Sequence, residues 1–182
     1  MRIIGGIFRG RVLESPKTNA TRPTTSSLRE AVFNIAAPWI EGARFLDLFA
    51  GSGSMGCEAI SRGASFVTFV EKEAKALECI RNNISSLGIE QQTQVLGLDV
   101  RKALMRLMSP YDVIYIDPPY EQEASETLSL IIEKGLLTPN GRLFLETRFK
   151  TSLPTLPRLE RIDSRKFGDS HLHQFRCPIN CG

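Results

Sequence analysis

Leu46-Asp47-Leu48-Phe49-Ala50-Gly51-Ser52-Gly53-Ser54-Met55-Gly56 is an apolar run that leads into a glycine-rich turn. The run has the composition of a buried strand, and the apolar residues after the turn follow helical spacing. Glycines remove side chains from the turn, so a ligand can approach the backbone N–H groups at the start of the helix. The stretch therefore predicts a strand, a ligand-binding turn and a helix in direct succession.

Short apolar runs alternate with helical patterns over the rest of the chain. The predicted strands are 44–49, 66–70, 93–98, 113–116 and 142–146, and the predicted helices are 54–62, 73–87, 100–108 and 123–134. This alternation is typical of a doubly wound α/β fold with a parallel sheet, which binds ligands at the carboxyl ends of its strands. Residues 159–166 and 171–177, around a Gly168-Asp169 turn, predict an antiparallel hairpin that closes the sheet.

The first 38 residues have a different pattern. Two short strands, 2–8 and 11–13, are predicted to form a hairpin, and a polar loop follows. Ser27-x-x-Glu30 has the form of a capping box and predicts a helix that ends near Pro38. We expect one domain over residues 1–182, in which 1–38 is an N-terminal hairpin and helix extension and 39–182 is the catalytic core.

Composition and charge narrow the class of protein. The chain has 182 residues, 42% of them hydrophobic and 24% charged, which suits one globular core. No stretch approaches the roughly 18 consecutive apolar residues of a membrane span, so we expect a cytoplasmic protein with no membrane partner. Net charge is only +3, yet residues 1–30 hold six Arg or Lys and two acids. This concentration of positive charge predicts that the N-terminal segment binds a polyanion through its phosphates.

The glycine turn allows two cofactors. Gly51, Gly53 and Gly56 fit G-x-G-x-x-G, and Glu71 ends the second strand, where an acid would accept hydrogen bonds from ribose hydroxyls. These features suit both a nicotinamide dinucleotide and S-adenosylmethionine. Asp99 follows the third strand and is predicted to accept from an adenine amino group, to cap the next helix, or both.

Asp47 also has two candidate roles. Its carboxylate is expected to lie near the sulfonium and the amine of S-adenosylmethionine, or to order the glycine turn by hydrogen bonds.

A second motif stands where the fourth strand stops. The strand Val113-Ile114-Tyr115-Ile116 runs directly into Asp117-Pro118-Pro119-Tyr120, and two prolines cannot continue a ladder. An exocyclic amine of a nucleic-acid base is a poor nucleophile, because its lone pair is delocalised into the ring. The Asp117 carboxylate and the Pro118 carbonyl are predicted to accept its two hydrogens and aim the lone pair at a methyl donor, while Tyr120 stacks on the base. This chemistry requires no metal.

At these residues the chain resembles the class I, Rossmann-like methyltransferases that act on amino groups. It is similar more narrowly to the RsmD family, which methylates the exocyclic N2 of a guanine in 16S, small-subunit ribosomal RNA. The resemblance extends from Arg2 to about Ser170. It rests on the two motifs above and on Arg2-Ile3-Ile4-Gly5-Gly6, Arg9-Gly10-Arg11, Arg22-Pro23-Thr24-Thr25, Arg29-Glu30-Ala31-Val32-Phe33-Asn34, Ser61-Arg62-Gly63-Ala64 and Lys166-Phe167-Gly168-Asp169-Ser170.

The resemblance implies a seven-stranded sheet of order 3-2-1-4-5-7-6 with an antiparallel last strand, helices on both faces, and an N-terminal hairpin that contributes to RNA binding. Many members carry Asp-Arg where this chain has Ser26-Ser27, which removes an arginine from the expected RNA face. The implied partner is ribosomal RNA, within an assembling small subunit, with no obligate protein partner.

These arguments give one set of predicted site residues. The predicted catalytic residues are Asp117, Pro118, Pro119 and Tyr120; the predicted cofactor residues are Asp47, Phe49, Ala50, Gly51, Ser52, Gly53, Glu71, Lys72, Asp99 and Val100; and the predicted substrate residues are Arg2, Arg9, Arg11, Arg22, Thr24 and Arg29. Two alternatives stay open: a DNA adenine-N6 or cytosine-N4 methyltransferase, which shares Asp-Pro-Pro-Tyr, and an NAD-dependent oxidoreductase.

Overall fold

The predicted alternation of strands and helices is present in the computed structural model, which describes residues 1–16, 25–148, 153 and 155–178, without the side chains of residues 121 and 122. The described elements are α1 (Ser26–Ile40), β1 (Arg44–Leu48), α2 (Ser54–Ser61), β2 (Phe66–Glu71), α3 (Ala74–Leu87), β3 (Thr93–Gly97), α4 (Val100–Arg106), β4 (Tyr111–Ile116), α5 (Glu121–Glu133), β5 (Leu137–Arg148), β6 (Glu160–Phe167) and β7 (Ser170–Arg176). Within those residues, no helix has the length and apolar character needed to cross a membrane.

Seven strands form one sheet of order β3-β2-β1-β4-β5-β7-β6. Neighbouring strands from β3 across to β5 run parallel, whereas β7 runs antiparallel to both β5 and β6. The predicted order and the predicted antiparallel last strand are therefore confirmed. β5 begins earlier than predicted because Leu137 already pairs with Tyr111, before a bulge that restores the register at Arg142.

The helices cover both faces of the sheet and create two apolar clusters. Because strand side chains alternate, odd and even positions of one strand enter different clusters. Helices α1, α2 and α3 pack on one side, here called the α1 face, and α4 and α5 pack on the other. The largest strand residues on the α1 face are Phe45, Phe69, Tyr115 and Phe144.

The N-terminal segment forms a shorter hairpin than the two predicted strands. An antiparallel bridge joins Arg2 to Val12, and on either side of it Ile3 N–H donates to the Arg11 carbonyl (3.0 Å) and Leu13 N–H to the Met1 carbonyl (2.8 Å). Gly6 explains the difference, because its φ of +76° turns the chain and its Cα lies against the Ser61 carbonyl, where a Cβ would clash. Ile7 N–H then donates to that carbonyl (2.7 Å). The segment is therefore held both by its own backbone hydrogen bonds and by α2.

The first helix also differs from the prediction at both ends. Its N-cap is Thr25, which has extended backbone and accepts from Leu28 N–H, so Ser27 lies inside the helix. The helix does not stop at Pro38 but continues to Ile40. A proline so near the C-terminus removes only one intrahelical hydrogen bond, and burial of Ile40 holds the last turn in place.

A buried carboxylate on α2 fixes the N-terminal segment. Glu58, fully inaccessible to solvent, accepts from Ile4 N–H and Gly5 N–H, each at 2.8 Å. Arg62 Nε donates to the same carboxylate at 2.7 Å, and Arg29 Nε of α1 lies 3.8 Å from it. A buried charge without partners is strongly unfavourable. We therefore expect Glu58 to keep all of these donors together, which attaches the N-terminal segment to α2.

Asn83 on α3 makes a second connection. Its amide nitrogen donates to the carbonyls of Ser52 (2.9 Å) and Glu14 (3.1 Å), and its oxygen accepts from Glu14 N–H (2.7 Å). The end of the N-terminal segment and the glycine-rich turn therefore share one side chain.

His173 makes the stability of the β5–β7–β6 region depend on pH. It is buried between Thr147 Oγ1 and Ser164 Oγ, each 3.0 Å from a ring nitrogen, and burial, followed by the charges of Arg161 and His171, lowers its pKa from 6.5 to about 4. As pH falls from 6.5 to 4 the unfolded chain takes up a proton that the folded chain refuses, so the free energy of unfolding decreases. We expect the wild type to lose stability relative to His173→Gln over this window, by denaturant unfolding. A constant difference in the free energy of unfolding between wild type and His173→Gln over this window would contradict the assignment.

Candidate active site

Four carboxylates line the carboxyl ends of four neighbouring strands. Glu71 ends β2, Asp47 lies in β1, Asp117 follows β4 and Glu146 lies near the end of β5. Each has the same parity as the α1-face residues of its strand, so all four side chains belong to the α1 face. The strands are adjacent in the order β2-β1-β4-β5, so these side chains form a carboxylate row, in which Asp47 lies one level deeper because it pairs with Phe69 and Tyr115.

The glycine-rich turn lies beside this row. Phe49, Gly51 and Gly53 all have positive φ, at 59°, 55° and 76°, a conformation that favours glycine and costs energy at Phe49. A Cβ added to Gly51 would meet no atom within 4 Å. The turn therefore borders open space, as a turn that receives a ligand must. Ala50 and Ser52, the other two residues of the turn, are buried.

Two acids of the row hold the turn in place. Asp47 accepts from Gly56 N–H at 2.9 Å, and Glu71 accepts from Gly51 N–H at 2.8 Å and from the N–H groups of Lys72 and Glu73. The interpretation of Asp47 as a group that orders the turn is thus supported by a direct bond. Burial, and then the charges of Asp117 and Glu71, raise the pKa of Asp47 well above its ordinary value, while the Gly56 bond opposes this.

The third strand supplies Asp99 at the same edge of the sheet. Asp99 is the N-cap of α4 and accepts from Arg101 N–H at 3.0 Å, so the capping role is confirmed. The adenine role of Asp99 stays a prediction. Val100, the residue after Asp99, is buried. Lys72, the residue after β2, is exposed.

The Asp117-Pro118-Pro119-Tyr120 motif follows β4 next to the glycine turn. Asp117 N–H approaches the Leu48 carbonyl at the end of β1 (3.4 Å), which joins the two motifs. Tyr120 is 71% exposed and precedes the first turn of α5, so its ring is available to a planar ligand. Burial and the neighbouring Glu146 raise the pKa of Asp117 to about 8.

Sequence reasoning missed Glu146. Its Oε2 accepts a hydrogen bond from the Tyr115 hydroxyl at 2.7 Å, and it faces Asp117 closely enough to perturb its ionisation. A signal was present in the sequence, since Glu146 is the last residue of the fifth predicted strand and must emerge at the same edge as Asp117.

The predicted substrate residues do not share one environment. Arg2, Arg9 and Arg11 are exposed, with Arg2 bonded to the Gly10 carbonyl and Arg11 to the Ser86 carbonyl. Arg29 is 1% exposed and donates to the Arg2 carbonyl (2.8 Å), so the prediction that it contacts the substrate is corrected. It supports the N-terminal segment from inside, because helical spacing turns it towards Glu58. Arg22 and Thr24 lie outside the described residues.

The sheet order and the helices on its two faces are those of the Rossmann-like methyltransferases, which confirms the predicted fold class. The family model described as "Conserved hypothetical protein 95" matches residues 1–176, and the chain belongs to this family, the predicted RsmD family.

Similar proteins agree with this assignment. The chain is 37% identical to "Putative rRNA methyltransferase YlbH" of Bacillus subtilis, over 85% of this chain and 86% of that protein. It is 35% identical to "Ribosomal RNA small subunit methyltransferase D" of Escherichia coli K12, over 86% and 79% of the two chains. A solved structure described as "Putative methyltransferase yhhF from Escherichia coli" matches with a TM-score of 0.88 and 30% identity, over 97% of both chains.

The raised pKa of Asp117 predicts a second pH dependence. Between pH 3.8 and about 8 the unfolded chain has lost the Asp117 proton that the folded chain retains, so the free energy of unfolding decreases as pH rises through this window and then levels off. We expect the wild type to lose stability relative to Asp117→Asn from pH 4 to 8, measured by thermal unfolding of the ligand-free proteins. Parallel stability curves for the two proteins would show that Asp117 ionises normally.

Proposed function

We propose that this protein transfers the methyl group of S-adenosylmethionine to the exocyclic N2 amino group of a guanine in 16S, small-subunit ribosomal RNA. The observation that carries the proposal is the carboxylate row beside the glycine turn and the Asp-Pro-Pro-Tyr motif. The relatives named above are ribosomal RNA methyltransferases by name, and family membership brings the same activity to this chain as a proposal.

The charge of the row favours S-adenosylmethionine over a nicotinamide dinucleotide. The charges of Asp117 and Glu71 lie close enough to Asp47 to disfavour its ionised form. A ligand with a sulfonium and an ammonium group relieves this repulsion, whereas a pyrophosphate would increase it. In this proposal the open turn at Gly51 binds the ligand's amino-acid part, Glu71 its ribose hydroxyls and Asp99 its adenine amino group.

The chain's own groups activate the amine of the target base. When bound, S-adenosylmethionine supplies an electrophilic methyl group. The Asp117 carboxylate and the Pro118 carbonyl accept the two N–H groups of the amine and direct its lone pair, and Asp117 stabilises the positive charge that develops on nitrogen. Tyr120 provides an aromatic face on which the base stacks.

The exposed arginines of the N-terminal segment support a nucleic-acid substrate, and base accessibility favours RNA. Arg2, Arg9 and Arg11 are exposed on a segment fixed to the α1 face, the face on which the carboxylate row lies. Cationic side chains so placed bind phosphates without reading sequence. A DNA methyltransferase needs to extrude its base from a duplex, whereas a base in an RNA loop is already accessible.

The proposed function is tested by transfer of labelled methyl from S-adenosylmethionine to undermethylated ribosomal RNA, both naked and in small subunits. We expect label in N2-methylguanosine when the product nucleosides are separated. Label in N6-methyladenine or N4-methylcytosine of DNA, with none in ribosomal RNA, would favour the alternative methyltransferase and overturn the proposal.

Asp117→Ala is expected to lower the rate of methyl transfer at least about 100-fold, the usual loss when a group that stabilises transition-state charge is removed. S-adenosylmethionine should still bind, because the glycine turn, Glu71 and Asp99 remain; calorimetry measures this separately. Asp163→Ala, which removes a half-buried acid on β6 outside the carboxylate row, is the control. Near-normal turnover by Asp117→Ala would remove Asp117 from the chemistry.

Replacement of Arg9 and Arg11 by Ala is expected to weaken RNA binding and to reduce its salt dependence. Each lost phosphate contact should lower the slope of log K against log[salt] by about 0.7 for single-stranded RNA. Arg106→Ala is the control, because Arg106 ends α4 on the opposite face of the sheet. RNA affinity is measured by fluorescence anisotropy at low and at moderate salt. If the variant bound RNA as tightly as the wild type at both salt concentrations, these arginines would have no role in binding.

A further inference from the structure

Glu146 and Asp117 are neighbours in the sheet. Ile116 of β4 pairs with Leu145 of β5, so the next residue of each strand occupies the same level of the carboxyl edge. Both side chains belong to the α1 face. The Tyr115 hydroxyl donates to Glu146 Oε2 at 2.7 Å and fixes the position of that carboxylate beside Asp117. Two acids are thus presented side by side, with one of them held by a buried tyrosine.

Such a pair has a definite hydrogen-bonding preference. An ionised carboxylate is an acceptor only. On the Watson–Crick edge of guanine, the N1–H and the N2 amino group are two adjacent donors. Adenine places the N1 acceptor beside its amino group, and cytosine places the N3 acceptor beside its amino group. Two adjacent acceptors in the protein therefore match guanine, and they would repel the ring nitrogen of adenine or cytosine.

We propose that Glu146 determines specificity by accepting the N1–H of the target guanine while Asp117 accepts its N2 amino group. The inference rests on the proposed function, since it concerns the base at the same site. It explains why this site carries a second acid, which the methyl-transfer chemistry at Asp117 does not itself require.

The electrostatics of the site agree with this role. Burial, and then the neighbouring Glu146, disfavour the charged form of Asp117 in the ligand-free protein. Two N–H donors from one base relieve both carboxylates at once. A base edge with a donor beside an acceptor, as in adenine or cytosine, would stabilise one carboxylate and repel the other.

A purely structural role for Glu146 makes a different prediction. If Glu146 served only to satisfy the Tyr115 hydroxyl, Glu146→Gln would change all substrates equally, because an amide oxygen also accepts from Tyr115. A specificity role changes the ratio between substrates that differ at N1. 2-Aminopurine is the suitable analogue, since it keeps the 2-amino group and has an acceptor at N1.

The experiment uses two RNAs that differ only at the position that the wild type methylates, with guanine in one and 2-aminopurine in the other. For Glu146→Gln we expect kcat/KM on guanine to fall by about 10- to 100-fold, the usual loss for one hydrogen bond to a charged group. The guanine to 2-aminopurine ratio should fall by at least about tenfold, because the Gln amide donates to N1 of 2-aminopurine. Glu133→Gln, at an exposed acid on α5, should keep the wild-type ratio.

The outcomes separate this inference from the proposed function. Transfer to guanine by the wild type, with an unchanged ratio in Glu146→Gln, overturns the inference alone. No transfer to ribosomal RNA by the wild type overturns both. If Glu146→Gln is unstable in thermal unfolding, Tyr115→Phe tests the same point, since loss of the hydroxyl should lower kcat/KM on guanine more than on 2-aminopurine; an equal loss on both RNAs would overturn the inference.

Discussion

The carboxylate of Glu58 fixes the positions of three parts of the molecule relative to one another. It lies on α2, accepts from the backbone of Ile4 and Gly5, and is approached by Arg29 of α1. Since a buried acid without these donors would be strongly unfavourable, the N-terminal segment has one place to bind. The glycine turn lies at the other end of this eight-residue helix. The segment expected to bind RNA and the turn expected to bind the methyl donor are therefore mounted on one rigid element.

The carboxylate row arises because four acids near strand ends all direct their side chains to the α1 face. The row lowers the stability of the ligand-free fold. Parallel strands bring their carboxyl ends together, so acids of equal parity at Asp47, Glu71, Asp117 and Glu146 necessarily become neighbours. Their mutual repulsion and burial destabilise the ligand-free fold, as the raised pKa values of Asp47 and Asp117 indicate. Residues of functional sites commonly lower the stability of the fold in this way. Binding of a cationic ligand stabilises the folded state again.

The sequence predicted the parts of the fold that depend on local pattern. Each strand and helix from β1 to α5 was recognised by periodicity, because buried runs and amphipathic helices repeat at different spacings; the strand order came from family resemblance. The errors fall where a distant contact decides the local structure. Gly6 turns against Ser61, and Arg29 points towards a glutamate 29 residues later. One further error is local: Thr25 replaces Ser27 as the cap, by accepting from Leu28 N–H. Glu146 was missed because its role depends on pairing between β4 and β5.

Affinity and selectivity in this arrangement arise in different places. Phosphate contacts from an exposed arginine segment give binding that is indifferent to sequence. The acceptors at the carboxyl edge contact only the base. Two of them, Asp117 and Glu146, suffice to distinguish guanine, which has two adjacent donors, from adenine or cytosine, which have a donor beside an acceptor. The carboxyl edge can then select a base that the arginine segment brings to it, provided that the segment and the edge are held at a fixed distance. The buried links through Glu58 and Asn83 supply that constraint, because both connect the N-terminal segment to helices that border the site.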